Sequence, residues 1–258
     1  MKTALLSLIL WGGTVLSSLS QTATYWNTNY IEIVDDAPAS VYPSPITISS
    51  VPWRVASVTV TLSNLSHTSQ SDVNVLLVSP QGQAAYIIAG PNGTVDFTDV
   101  TLTLDDSAPT EIPSLCTSGR YKPTGYFPDA DYLFPVFPAP APAGPYSPDL
   151  SVFQGADPNG TWSLFVFDDE REDSGMIEGG WSLNFEKVYP LALHPMPDGH
   201  MEVSWPTEAD GYVLIATDSL QGNNWSVVTN PPEVVSGRKT IKLQPNASPR
   251  FFKLIKPL

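Results

Sequence analysis

Residues Phe153–Phe185 read FQGADPNGTWSLFVFDDEREDSGMIEGGWSLNF, and this stretch decides the fold class. Trp162, Leu164 and Val166 alternate with Ser163, Phe165 and Phe167, so large apolar side chains leave both faces of one extended segment. The pattern predicts a strand buried on both sides. Trp181, Leu183 and Phe185 alternate with Ser182 and Asn184, the two-residue period of a strand with one face in a core. Asn159-Gly160 is a turn dipeptide that launches the Trp162 strand. Asp168–Gly175 reads as a hairpin connection whose glycine permits a positive φ.

The same period recurs on both sides of this stretch. In Ser57–Leu62, Val58, Val60 and Leu62 face one way while Thr59 and Thr61 face the other, and Val100–Leu104 repeats the alternation. Asn74–Val78 and Ala85–Ile88 are further short strands, and Ser79-Pro80-Gln81-Gly82 fits a type I turn. No amphipathic helical run follows residue 25. Proline supplies 26 of 258 residues, about twice the roughly 5% norm, and helix interiors reject it. Many short strands with turn signals between them predict an all-β sandwich or barrel.

Charge marks a boundary. Residues 21–187 carry 20 acidic and 5 basic side chains; residues 188–258 carry 6 of each. Pro190, Pro195, Pro197 and Gly199 make residues 188–200 read as a stiff linker. Beyond it Met201–Trp205, Tyr212–Ala216, Trp225–Val228, Thr240–Leu243 and Phe251–Ile255 read as five strands of a small β-sandwich over residues 201–258. Within the first half, Phe134–Pro148 has proline at six of fifteen positions. It reads as an ordered polyproline-like crossing over the sandwich, pinned by Phe134, Phe137 and Tyr146. Met1–Ser20 reads as a secretory signal: Lys2, the apolar run Ala4–Leu16, and Ser18-Leu19-Ser20 before Gln21. The expectation is a mature chain beginning at Gln21, outside the cytoplasm, as a secreted, periplasmic or cell-surface protein without a membrane span. A net charge of −14 excludes a binder of nucleic-acid backbone, and one cysteine excludes an internal disulfide.

Two stretches carry a resemblance. Val58–Gly82, VTVTLSNLSHTSQSDVNVLLVSPQG, has a strand, then His67, then Asp72, then an apolar strand ending Ser79-Pro80-x-Gly82. Phe153–Phe185 has a Gly-x-Trp strand, an Asp-rich turn closed by Gly175, and a terminal Gly-Trp-Ser-Leu strand. Both resemble the P domain, or P/Homo B domain, that follows the catalytic domain of subtilisin-like proprotein convertases. The resemblance covers residues 26–187, and the proline loop departs from it. It implies a galactose-binding-like jelly-roll β-sandwich and an association with serine-type endopeptidases. In that family peptide hydrolysis belongs to a separate catalytic domain. Residues 201–228, MEVSWPTEADGYVLIATDSLQGNNWSVV, and the ending RFFKLIKP are similar to the small β-sandwich tails of secreted bacterial proteins. That similarity implies an immunoglobulin-like accessory module.

Few residues suit catalysis. The histidines are His67, His194 and His200; the last two fall in the proline-rich junction, where a general base is poorly held. His67 reads as a structural hydrogen-bonder and Asp72 as a backbone-capping carboxylate. No Gly-x-Ser-x-Gly elbow, His-Glu-x-x-His helix or Cys-x-x-Cys pair is present. Asp168, Asp169, Glu170, Glu172 and Asp173 crowd one turn. Like charges so close are either solvated or neutralised by a cation, which makes Asp168, Asp169 and Asp173 candidate calcium ligands. Asp96, Asp99, Asp105 and Asp106 form a second acidic group, and Asn64, Asn92, Asn159, Asn224 and Asn246 begin glycosylation sequons. The expectation is a secreted binding, adhesion or stabilising module of P-domain type with no catalysis of its own. The alternatives are a component of a proteolytic system acting with a separate subtilisin-like peptidase, or a carbohydrate-binding protein. The expected partner is a protein or a glycan.

Overall fold

The computed structural model describes residues 21–91, 93, 95–125, 136–221, 224–244 and 250–257. The signal reading at Met1–Ser20, Phe134 of the proline loop, and the sequons at Asn92 and Asn246 lie outside them. The chain divides into two units, Thr22–Val188 and Tyr189–Leu258, the latter joined by Gln21. In chain order the first unit carries β1 (Thr22–Asn27), β2 (Ile31–Ile33), β3 (Ser44–Ile48), β4 (Arg54–His67), β5 (Val73–Val78), β6 (Ala84–Ala89) and β7 (Phe97–Leu104). It continues with β8 (Gly119–Tyr121), β9 (Thr124–Gly125), β10 (Gly160–Asp168), β11 (Gly175–Ile177) and β12 (Trp181–Val188).

These strands form an all-β sandwich. One sheet runs β1-β12-β4-β11-β2, with β7 on the other edge of β4 and β8 beyond it; the second runs β3-β10-β5-β6-β9. Val58, Val60 and Leu62 of β4 point into the core opposite Phe185, Leu183 and Trp181 of β12. Trp162 is wholly buried between Phe153, at 5.1 Å, and Phe185, at 5.3 Å, and its indole N–H donates to the Pro158 carbonyl.

The other face of β10 is buried as well, as the alternation predicts. Phe165 and Phe167 join Leu76, Val78 and Tyr86 in a second apolar cluster, and Phe137 and Tyr146 of the proline-rich segment close it. Phe137 meets Phe167 at 4.9 Å and Tyr146 at 5.5 Å, while Tyr42 donates to the Pro138 carbonyl. The proline segment is thus an ordered strap over one sheet. Its prolines lack N–H groups, so it covers apolar side chains without leaving many buried donors.

The turn after β10 corrects the hairpin expectation. Strand β10 pairs with β3 and β5, whereas β11 pairs with β2 and β4, so residues 169–174 cross from one sheet to the other. The positive φ sits on Glu172, at 80°, and not on Gly175. The other strands of this unit match their reading within a few residues, but β1, β2, β3, β8, β9 and β11 escape it: β2, β8, β9 and β11 are three residues or fewer, and β3, though it alternates in burial, opens on Ser44 and Pro45.

The second unit carries β13 (Ala192–Pro195), β14 (Met201–Pro206), β15 (Val213–Thr217), β16 (Ser226–Val227), β17 (Glu233–Val235), β18 (Arg238–Leu243) and β19 (Phe251–Ile255). They form two small sheets, β13-β14-β18-β17 and β16-β15-β19, around Val203, Trp205, Leu214 and Ile241. Part of the segment read as a linker is β13, paired with β14.

Both faces of β10 can be tested. Trp162→Ala and Phe137→Ala should each lower unfolding free energy by about 3–5 kcal/mol, the usual cost of deleting a buried aromatic ring. Denaturant unfolding measures this, and a loss under about 1 kcal/mol in either variant would remove that side chain from the core.

Candidate functional site

The turn at 169–174 joins the sheets at one end of the sandwich, and there the first unit gathers its most deeply buried ionisable groups. Strand β4 ends at His67 and β10 ends at Asp168. Both side chains have zero exposure, and His67 Nε2 lies 3.0 Å from Asp168 Oδ2. His67 Nδ1 lies 2.6 Å from the Ser69 carbonyl oxygen and 3.2 Å from the Ser69 amide nitrogen, so it donates to the first or accepts from the second according to the ring tautomer. In either tautomer a proton lies between His67 Nε2 and Asp168 Oδ2. Asp168 Oδ1 accepts from the Glu170 amide at 3.0 Å. Glycine at 175 is required by close approach, because a Cβ there would stand 2.1 Å from the Ser66 carbonyl oxygen and 2.6 Å from His67 Cδ2.

Around the pair the acids are close. The Asp72 carboxylate accepts from the Ser71 hydroxyl at 2.8 Å, and its carbonyl accepts from the Asp169 amide at 3.3 Å and the Asn74 side chain at 3.1 Å. Burial raises the pKa of Asp168 above the usual carboxylate range; the Glu170 amide and His67 pull it back, and Asp72 pushes it further up. Asp169 is pushed up to about 6, first by desolvation of its carboxyl and then by the charges of Asp72 and Glu170, against a hydrogen bond from Asn74.

No family model matches the chain, and no curated protein does. A solved structure titled as the Aeromonas sobria serine protease and chaperone complex is similar at 14% identity with a TM-score of 0.34. The likeness covers 65% of this chain and 26% of that one, and at this size it says nothing of what this chain does.

The three expected calcium ligands differ in their surroundings. Asp168 turns inward and has both oxygens engaged by protein donors, Asp169 lies against Asn74, and Asp173 is half-buried further along the turn. Among the described residues no group of three or more His, Cys, Asp or Glu side chains is disposed to hold a metal ion. Three members of the second acidic group are taken up locally. Asp99 accepts from Asn64, Asp105 pairs with Arg120 and Ser107, and Asp106 accepts from the Leu150 and Ser151 amides. Asn159 bonds both backbone groups of Val51, as a turn residue should. His200 faces Asp198 at 3.1 Å in the other unit. Cys116 is buried, which pushes its thiol up to about 11. His67 reads correctly as a hydrogen-bonder, but nothing in the chain signals that its partner lies 101 residues away.

Two outcomes follow from this geometry. His67→Ala leaves a buried carboxyl without its partner and should cost about 3–5 kcal/mol; adding Asp168→Asn should recover part of the loss. A His67→Ala cost under about 1 kcal/mol in denaturant unfolding would show that the pair does not hold the sheets. The carboxyl of Asp169 should titrate near 6 in a ¹³C NMR experiment, against its ordinary 3.8. Between those values the unfolded chain has released a proton that the folded chain retains, so stability falls as pH rises across this window. Solvent screening keeps the slope shallow, because Asp169 is an exposed residue. Asp169→Asn should remove this contribution to the slope, and a midpoint near 4 would refute the crowding.

Proposed function

We propose that this chain is a binding, adhesion or stabilising module of P-domain type, acting outside the cytoplasm without catalysis of its own. One observation carries the reading: His67, the first unit's single histidine, is wholly buried with both ring nitrogens engaged, so it is no accessible base. The buried His67–Asp168 pair joins the two sheets instead of facing a cleft. No helix among the described residues is long and apolar enough to cross a membrane. The second unit serves as a docking or spacer module.

A second reading makes the chain a component of a serine-endopeptidase system, assisting a separate subtilisin-like peptidase. Its support is the resemblance at Val58–Gly82 and Phe153–Phe185. Copurification with such a peptidase from the native source favours this reading; retention by a glycan and not by a peptidase favours the carbohydrate reading.

Calcium at Asp168, Asp169 and Asp173 is a separate proposal. Its support is the crowding that lifts Asp169, and it requires Asp168 to give up a protein donor. Calcium, but not sodium at matched ionic strength, would lower the Asp169 midpoint, and Asp173→Asn would abolish that response. An unchanged midpoint removes the proposal.

The purified chain should hydrolyse neither peptides nor glycosides. Turnover that survives repurification and is lost in a variant that remains folded would overturn the non-catalytic reading.

A further inference from the structure

The two outer faces of the sandwich differ. The strap covers one, while on the face built from β1, β12, β4 and β7 the outward residues Thr24, Thr61, Thr103, Ser182 and Asn184 are half-buried polar side chains. At its margin is Trp26, which is 67% exposed, whereas Trp53, Trp162 and Trp181 of the same unit are at most 4% exposed. Trp26 borders an open concavity of about 610 Å³ between β1 and β3, the edge strands of the two sheets. Thr24–Asn29 and Pro45–Thr47 line it. None of these nine residues is charged, in a region that carries 20 acidic and 5 basic side chains.

The wall is held in place. Asn27 donates to the Ser44 hydroxyl at 3.1 Å and the Pro45 carbonyl at 2.8 Å, and it accepts from the Asn29 amide at 3.0 Å. The Ser44 hydroxyl is in turn held by the buried indole of Trp181. Outside this fixed turn Thr28, Asn29, Pro45 and Thr47 are exposed, and Tyr30 follows at 48% exposure.

A polar row continues from the concavity across this face, neutral as far as Thr103 and ending at Arg120 of β8. Register places Trp26 beside Ser182, Ser182 beside Thr61, and Thr61 beside Thr103. The Thr61 and Thr103 hydroxyls meet at 2.9 Å, and in the next row Thr24 donates to Asn184. Strands lie roughly 4.8 Å apart, so the row spans roughly 14 Å.

The geometry points to a binding site for a neutral saccharide chain at the β1/β3 edge, with Trp26 as its stacking platform. An indole face takes the C–H face of a sugar ring, and hydroxyls and amides bond its hydroxyl groups. The absence of charge from the lining separates this ligand from anions, which the acidic unit repels, and from cations, which find no carboxylate here. An open groove continuous with a flat row suits a chain of several sugar units, not a single ring. This inference rests on the binding-module reading and gives it a ligand class.

The test uses the full chain. Depletion by insoluble cellulose, chitin and starch, followed by calorimetry with neutral oligosaccharides of increasing length, should show binding to at least one glycan that strengthens with length. Trp26→Ala should weaken it by roughly tenfold at unchanged unfolding midpoint, and Trp26→Tyr should retain part of it. The site is refuted if none of the three polysaccharides retains the protein, or if Trp26→Ala binds as the parent does. Release of reducing sugar from the bound glycan would instead overturn the non-catalytic reading and leave the site standing.

Discussion

The contact between His67 and Asp168 is the constraint on which the first unit turns. Each residue closes a long strand, one in each sheet, and neither side chain touches solvent. A charge or its proton held in that position is costly unless both partners are present and further bonded. The Ser69 carbonyl and the Glu170 amide provide those bonds, so the pair fixes the ends of β4 and β10 relative to each other. The crossing at 169–174, the glycine at 175 and the crowding of Asp72 and Asp169 all follow from bringing those two strand ends together.

The second constraint is the apolar content of β10. A strand with aromatic rings on both faces needs two cores, and the sandwich interior supplies only one. The proline strap supplies the other, with Phe137 and Tyr146 against Phe165 and Phe167. One outer face is thereby removed from solvent. The opposite face carries mostly threonine, serine and asparagine side chains, with Trp26 at its margin, and needs no second apolar core.

The alternation in Trp162–Phe167 and Trp181–Phe185 made the all-β class and the two-sided burial legible, because period-two burial is a local property of the chain. The strap was legible from its prolines and aromatics. Short edge strands such as β1 and β3 were not: β1 is half-solvated with little alternation, and β3 alternates in burial but opens on a serine and a proline that carry no strand signal. The turn at 168–175 misled for a related reason: acidic residues and a glycine mark a turn, but they do not say whether the chain returns to the same sheet. The role of Asp168 was hidden altogether. Its partner is set by tertiary pairing, and an aspartate in an acidic run looks solvated until the fold turns it inward.

The single cysteine has a use of its own. Cys116 is buried and its thiol is pushed up to about 11, so in the closed fold it is both shielded and weakly nucleophilic. Labelling by a thiol reagent at neutral pH therefore proceeds only through transient opening of the surrounding segment. With no other sulfhydryl in the chain to compete, the rate of that reaction reads the opening equilibrium of one defined region of the sandwich.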